Sequence, residues 1–127
     1  MGGALPCRKK KTMYTVIEKW TAKQAFVEAS TPEREALFAR VGASMPQLEA
    51  AGVTCLGWGT TLSAPQSTSH EWIAVWQMES KAAVDEFFGA VADAGWYEYF
   101  EQVNALTELV PVPEALGRLM DHGQAGR

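Results

Sequence analysis

The sequence predicts a single α+β domain in which helices cover an antiparallel four-stranded sheet. Two observations support this fold class. Segments rich in β-branched and aromatic residues alternate with two amphipathic helical segments, and glycines or polar linkers separate them. The chain has 127 residues, 47% of them hydrophobic and 20% charged, which is enough to bury a core without disulfides or metal.

The first predicted strand is Met13–Trp20 (MYTVIEKW), which is rich in β-branched and aromatic residues. The next segment, Thr21–Ser30, is ambiguous and could form a short helical turn. A long helix follows and ends at Gly52. Its hydrophobic face comes from apolar residues three and four positions apart, which are Leu37, Phe38, Val41, Met45 and Leu48.

Two capping arrangements are open for the start of this helix, at STPERE. Thr31 can cap the helix with Pro32 at the first helical position, or Ser30 can form a capping box with Glu33. Glu33 and Glu35 also suit the positive end of the helix dipole.

Two further strands are predicted in the middle of the chain. Val53–Leu62 (VTCLGWGTTL) is expected to bend at Gly57 and Gly59. After the polar linker SAPQSTS, the segment His70–Met78 (HEWIAVWQM) alternates clearly. Its even positions share one face, and they are His70, Trp72, Ala74 and Trp76.

A second helix and a fourth strand complete the pattern. Ser80 caps the helix, and Gly95 ends it. Trp96 and Tyr97 then turn the chain into a strand predicted over Tyr99–Val110. The apolar stripe of the helix is Val84, Phe87, Phe88 and Val91.

The order of elements is therefore β-α-β-β-α-β, followed by a C-terminal helix that begins near Pro113. This is the ferredoxin-like arrangement. Two helices cover only one face of such a sheet, and we expect large aromatics on the other face, covered by a second copy of the chain. The expected assembly is a symmetric homodimer with its sheets face to face.

The domain limits follow from the outermost patterned segments. Residues 13–121 are predicted as a single ferredoxin-like domain. Residues 1–12, which contain the basic cluster Arg8–Lys11, are predicted as a flexible N-terminal extension, and residues 122–127 as a frayed tail.

Charge and composition argue against several classes of protein. The net charge of −4 disfavours nucleic-acid binding. No run approaches the roughly 18 apolar residues of a membrane span, and the first residues lack the apolar core of a secretory signal. Two cysteines, Cys7 and Cys55, give no disulfide framework, so a cytoplasmic location is the default. Cys55 is expected to be a small core residue.

Four stretches resemble the dimeric α/β-barrel superfamily of ferredoxin-like proteins, and more narrowly a small bacterial family of unknown function within it. They are MYTVIEKW, VTCLGWG, WIAVWQM and GWYEYFEQVNA, and the resemblance spans about residues 13–109. The superfamily includes cofactor-independent monooxygenases, polyketide cyclases, haem enzymes, an isomerase and plain ligand-binding proteins. The resemblance implies a homodimer with a pocket between sheet and helices or within the barrel, closed by loops and by the partner chain.

Aromatic side chains are expected to form the walls of this pocket. The chain has five tryptophans, and each indole buries a large area. Two interpretations stay open: these side chains fill the dimer barrel, or they bind a flat hydrophobic ligand. The predicted substrate-binding residues are Trp58, Trp72, Trp76, Trp96, Phe100 and Gln102.

His70 is the predicted general base, because imidazole ionises near neutral pH and the alternation places it beside Trp72 and Trp76. The alternative is a histidine at a loop edge, paired with Glu71 or a backbone carbonyl. The other predicted catalytic residues, which would polarise oxygen atoms, are Tyr97, Tyr99 and Asn104.

No metal or cofactor is expected. His70 has no second ligand at a suitable spacing, and the chain has no glycine-rich phosphate loop and no nucleophile elbow. Glu18 and Glu71 could approach each other across strands, but solvation at an exposed edge is the expected state of both.

The predicted function is that of a small homodimeric enzyme acting on a hydrophobic, aromatic or polyketide-like small molecule. The chemistry would be cofactor-independent oxygenation, or proton abstraction leading to cyclisation or isomerisation. The alternative is a non-catalytic dimer of the same fold that binds a small ligand or has a structural role.

Overall fold

The computed structural model describes residues 13–123 and contains four strands and five helices within that range. The predicted extension over residues 1–12 and the end of the predicted tail, residues 124–127, lie outside the described residues. The elements are β1 Tyr14–Ala22, α1 Gln24–Val27, α2 Thr31–Ala50, β2 Val53–Thr60, β3 Trp72–Met78, α3 Lys81–Asp93, α4 Trp96–Tyr99, β4 Phe100–Thr107 and α5 Val112–Met120.

The four strands form one antiparallel sheet in the order β2-β3-β1-β4, which confirms the predicted α+β fold. The central strand β1 pairs with β3 and β4. Glu18 lies opposite Ala74 on one side and Asn104 on the other, while Trp20 lies opposite Trp72 and Gln102. Because side chains alternate along a strand, these residues project from the same face of the sheet.

Helices α2 and α3 pack on that face, and their ends are capped as expected. The capping box at Ser30 is the arrangement that forms: its hydroxyl accepts a hydrogen bond from the Glu33 N–H at 3.3 Å, and its own N–H donates to the Glu33 carboxylate at 2.7 Å. The Ser80 hydroxyl accepts from the Ala83 N–H at 3.0 Å. The core between sheet and helices includes Val16, Trp20, Leu37, Val53, Trp76, Met78 and Phe87.

The expectation of large aromatics on the uncovered sheet face is wrong. Trp20 and Trp76 lie on the helix-covered face and are buried there, because every second residue of β1 and β3 points toward the helices. The uncovered face carries smaller aliphatic side chains, several of them partly exposed, including Ile17, Ile73, Val75 and Val103.

The two later strands are shorter than predicted. β3 begins at Trp72, so His70 precedes it, and β4 covers only Phe100–Thr107. Trp96–Tyr99 forms the short helix α4, which Gly95 introduces with a φ of +83°. The Lys23 N–H donates to the Tyr99 carbonyl at 2.8 Å, which holds α4 against the residue preceding α1.

Two further details concern β2 and the helices. Cys55 is exposed and not a core residue, because it lies on the edge strand β2 at an irregularity between Cys55 and Gly57. None of the helices within residues 13–123 is both long and apolar enough to cross a bilayer.

Candidate functional site

An aromatic cleft of about 170 Å³ opens at one end of the sheet, where β1 meets α1. The Trp20 and Trp72 rings stack across the strands with centroids 6.3 Å apart, and the Trp96 and Phe100 rings stack at 4.2 Å. We use the term aromatic cleft for the space lined by Trp20, Phe26, Phe38, Trp58, Trp72, Trp96 and Phe100.

A second, smaller space of about 40 Å³ lies between the sheet and helices α2 and α3. Trp58 and Trp96 line both spaces, and their rings meet edge to face at 5.9 Å. These two indoles therefore form a shared wall. We call this second space the inner cavity; its lining includes Glu18, Ser44, Trp58, Trp76, Phe87 and Trp96.

Glu18 is the carboxylate of the inner cavity, and it is only 4% exposed. The Trp76 indole N–H donates to its Oε1 at 2.7 Å, and Gln102 Nε2 donates to its Oε2 at 2.8 Å. Burial raises the pKa of Glu18 above its ordinary value, and the hydrogen bonds from Gln102 and Trp76 partly offset that rise. The expectation that Glu18 is solvated at an exposed edge is therefore wrong.

The direction of the hydrogen bonds around Glu18 follows from Trp96. Its indole nitrogen can only donate, and it lies 2.7 Å from Gln102 Oε1, which must accept. Gln102 Nε2 is then the donor, and it reaches both Glu18 and Asn104 Oδ1, the latter at 2.7 Å. This chain of bonds settles the orientation of the Gln102 amide.

Tyr97 lies at the outer end of this network. Burial raises the pKa of its phenol, a hydrogen bond with Asn104 lowers it, and the nearby charge of Glu18 raises it further. Because Asn104 Oδ1 accepts from Gln102, its Nδ2 is the group available to Tyr97. Three predicted site residues, Tyr97, Gln102 and Asn104, thus come together around Glu18.

The predicted aromatic walls divide between the two spaces. Trp58, Trp72, Trp96 and Phe100 line the aromatic cleft, as the prediction requires of a common pocket. Trp76 lies in the inner cavity, where its ring packs 4.8 Å from Phe87.

His70 does not line the aromatic cleft or the inner cavity. Its Nε2 lies 3.0 Å from Glu101 Oε1, and its Nδ1 lies 3.2 Å from the Thr68 hydroxyl. The carboxylate partner is therefore Glu101 and not Glu71. The alternation that grouped His70 with Trp72 does not extend to it, because His70 precedes the strand. Its predicted role as a base stays a prediction.

Tyr99 also lies outside both spaces. Its ring packs edge-on against Phe26 with centroids 6.3 Å apart, behind the wall of the aromatic cleft. The sequence predicted Tyr99 on β4, but Tyr99 is the last residue of α4. This difference accounts for its position outside both spaces. Its predicted catalytic role stays a prediction.

Reasoning from the sequence missed several residues that line the two spaces, among them Glu18, Trp20, Phe26 and Phe38. For Glu18 and Trp20 a signal was present, since both occupy even positions of MYTVIEKW together with Val16. Phe38 belongs to the predicted apolar stripe of α2, but its side chain lines the aromatic cleft. Within residues 13–123, no three His, Cys, Asp or Glu residues form a group that could hold a metal ion.

The fold is similar to that of several solved structures at low sequence identity. The RPA0582 protein from Rhodopseudomonas palustris is 16% identical, with 87% of this chain and 90% of that chain covered and a TM-score of 0.55. A dabb family protein with a ferredoxin-like fold (mll5499) from Mesorhizobium loti is 16% identical, with 79% and 99% covered and a TM-score of 0.51. A hydroxynitrile lyase from Passiflora edulis is 15% identical, with 80% and 100% covered and a TM-score of 0.50. These likenesses confirm the predicted ferredoxin-like fold and show the fold alone.

A family model described as a family of unknown function (DUF6616) matches residues 13–122. This match confirms the predicted resemblance to a family of unknown function. No curated protein matches the sequence.

Proposed function

The chain belongs to this family of unknown function, DUF6616, and we propose that it is a small enzyme that binds a flat, apolar, aromatic or polyketide-like molecule in the aromatic cleft and transfers a proton on it. The observation that carries the proposal is the cleft itself. Its volume of about 170 Å³ is comparable to the roughly 150 Å³ cavity that holds benzene in another protein. A molecule of about one aromatic ring, or one ring of a larger molecule, fits this space.

The walls of the cleft suit a flat ligand. Trp20 and Trp72 are nearly parallel, with 10° between their ring planes, whereas Trp20 and Trp96 meet nearly at right angles, at 78°. A ring in the cleft can therefore meet indoles both face-on and edge-on, which are the two favourable geometries of aromatic pairs. The lining supplies few polar groups, so binding would come mainly from burial of apolar surface.

Proton transfer is the favoured chemistry because a carboxylate, a phenol and two amides are linked beside the cleft. Tyr97 lines neither space, and its phenol joins this network through Asn104. Proton abstraction leading to cyclisation or isomerisation uses such groups directly. Cofactor-independent oxygenation of the same kind of molecule would use the same cleft.

We also propose that the protein is a homodimer, joined through the uncovered faces of the two sheets. The support is the set of partly exposed aliphatic side chains on that face, centred on the pair Ile17 and Val75, which lie opposite each other on β1 and β3. A second sheet would remove this apolar surface from water. The contact lies on the side of the sheet away from the aromatic cleft.

One observation favours the alternative, a protein that binds a ligand without changing it. Gln102 and Asn104 hydrogen-bond with each other and with their neighbours, and neither lines the aromatic cleft. A ligand in the cleft would meet almost only aromatic carbon, which supplies binding and no chemistry. The enzyme would exchange or move a proton of its bound molecule, whereas the binding protein would leave that molecule unchanged.

Binding is tested with 2-tetralone, a flat ketone fused to one aromatic ring, by titrating the tryptophan fluorescence of the protein. We expect saturable quenching, because four indoles line the cleft. Phe38→Ala removes a half-exposed wall residue and should weaken binding about tenfold, the equivalent of about 1.4 kcal/mol. Leu62→Ala is the matched control, since Leu62 is exposed and lies outside the cleft. Absence of saturable quenching, or equal weakening by both substitutions, would contradict the proposal.

A further inference from the structure

We propose that Glu18 is the proton acceptor of this site, and that its substrate is a flat, apolar carbon acid with a C–H bond next to a carbonyl group. The inference rests on the proposed function and gives its proton transfer a residue and a substrate class. It stands on the position of Glu18 in the inner cavity and on the direction of the hydrogen bonds that surround it.

Both hydrogen bonds that reach Glu18 come from groups that can only donate as they are arranged. The Trp76 indole has no acceptor, and Gln102 is held with Nε2 toward Glu18 because its Oε1 accepts from Trp96. A proton bound by Glu18 cannot be donated to either neighbour. A carboxylate has about four lone-pair positions, and two are occupied here. A proton must therefore occupy one of the remaining positions, and Glu18 also lines the inner cavity.

The surroundings make Glu18 a stronger base than a carboxylate in water. Of the described residues that line the inner cavity, Glu18 is the one that ionises. Helices α2 and α3 contribute uncharged side chains to it, and the titratable group beside Glu18 is Tyr97 of α4. Burial raises the pKa of Glu18, and a base of raised pKa removes a proton from carbon more effectively, provided it is ionised at the working pH.

Access from the aromatic cleft to Glu18 passes the shared wall, and Trp58 is its more exposed side. Trp58 is 47% exposed, whereas Trp96 is 5% exposed and bonded to Gln102. Trp58 lies on the edge strand β2 between Gly57 and Gly59, and a side chain added at either glycine would meet no atom within 4 Å. An outward rotation of the Trp58 indole joins the cleft and the inner cavity.

The chemical step needs no oxidant, reductant or further reactant. The Glu18 carboxylate forms an O–H bond with the proton as the C–H bond breaks. The electron pair of that bond moves into the new carbon–carbon double bond, and the carbonyl oxygen becomes an enolate. Return of a deuteron to the same carbon, after the proton on Glu18 has been replaced by one from solvent, gives hydrogen exchange. Return of the proton to the remote carbon of an enolate that is conjugated with a further double bond gives isomerisation.

The test follows the exchange of the α-hydrogens of 2-tetralone with D2O by proton NMR, in excess of the buffer-catalysed rate. We expect the wild-type protein and Leu62→Ala to accelerate the exchange. Glu18→Gln should bind 2-tetralone, as seen by tryptophan quenching, and lose the acceleration by about 100-fold or more. Equal acceleration by Glu18→Gln and wild type would overturn the role of Glu18 while leaving the proposed binding intact. Absence of binding by the wild-type protein would overturn the proposed function itself, and this inference with it.

A second variant separates the loss of the Glu18 carboxylate from a defect in folding. In Glu18→Gln the new amide must place its NH2 group against either the Trp76 N–H or Gln102 Nε2, and Trp96 prevents the Gln102 amide from reversing. The double variant E18Q/W96F frees the Gln102 amide to reverse while keeping an aromatic wall. It should fold, bind and fail to accelerate exchange; acceleration by this folded variant at the wild-type level would overturn the inference.

Discussion

The indole nitrogen of Trp76 lies 2.7 Å from the carboxylate of Glu18, in the buried interior between the sheet and helix α3. The bond joins residues on the adjacent strands β1 and β3. It gives a buried carboxylate a donor that cannot take its proton. Its strength and its effect on Glu18 can be measured directly.

Trp76→Phe is expected to raise the pKa of Glu18 further, because the hydrogen bond from Trp76 favours the ionised form. The free energy of unfolding should fall by about 1–3 kcal/mol from the lost bond to a buried charged group. The pKa is read from the infrared band of the neutral carboxyl group, identified as the band that Glu18→Gln removes. Trp72→Phe, at a more exposed indole of the cleft, is the control. An unchanged or lowered pKa in Trp76→Phe would contradict the assignment.

The stability of the protein should depend on pH through Glu18. Its pKa in the folded protein lies above the ordinary value of 4.5, so the folded state binds this proton more tightly than the unfolded state does. Its contribution to stability is full below pH 4.5 and is lost as the pH rises through the folded-state pKa. Tyr97, whose pKa is raised from 10.0, titrates above this window.

Glu18→Gln removes this contribution, so the free energy of unfolding of the wild type minus that of the variant should decrease as the pH rises above 4.5. Urea denaturation at several pH values measures both curves. Parallel curves, or a difference that grows with pH, would show that the pKa of Glu18 is not raised in the folded protein.

Gly95 sets the backbone conformation at the start of α4, and it therefore determines the position of Trp96. Gly95→Ala should cost about 1–2 kcal/mol, because φ is +83° and the nearest atom to a new Cβ, Arg40 Nη2, is at an ordinary 3.6 Å. The cost is thus conformational. Gly42→Ala, in the middle of α2 with open space around it, should instead stabilise the protein by up to about 1 kcal/mol. Thermal unfolding compares the two; equal effects would contradict this reading of Gly95.

The proposed dimer predicts a selective effect on the uncovered sheet face. Val75→Glu places a charge opposite Ile17 and should convert the dimer to a monomer, because an unpaired charge inside an apolar interface is costly. Ala82→Glu, on an exposed position of α3, should leave the assembly unchanged. Light scattering coupled to gel filtration gives the mass of each. A monomeric wild type, or a Val75→Glu protein that stays dimeric, would contradict the proposed interface.

The side chain of Trp76 is buried within one protomer. Trp76 packs on Phe87 and bonds to Glu18 within one protomer, so Trp76→Ala tests the protomer core and not the dimer. We expect a loss of about 3–5 kcal/mol from the large-to-small change.

The parts of the fold that depend on neighbouring residues were predictable from the sequence. The capping box of Ser30 and Glu33 involves residues three apart, and the turn at Gly95 requires only a glycine with positive φ. The order of strands and helices followed from such local signals. The ends of β3 and β4 could not be predicted from local signals, because pairing with β1 determines where those strands stop.

The centre of the candidate site was hidden for a physical reason. Glu18 is buried by partners 58 and 84 residues away in sequence, Trp76 and Gln102, and its hydrogen bonds exist only once the strands have paired. Alternation in MYTVIEKW groups Glu18 with Val16 and Trp20, but it does not tell which face of the sheet the helices cover. The pairing of His70 with Glu101 likewise depends on how two separate segments meet.

The most direct test of the account is a crystal structure of the protein with 2-tetralone bound. We expect the aromatic ring between Trp20, Trp72 and Phe100, the Trp58 indole displaced outward, and the ketone α-carbon within about 3–3.5 Å of a Glu18 carboxylate oxygen. Bound 2-tetralone outside the aromatic cleft would contradict the proposed function. Bound 2-tetralone in the cleft, with Trp58 in place and Glu18 still enclosed, would contradict the role of Glu18.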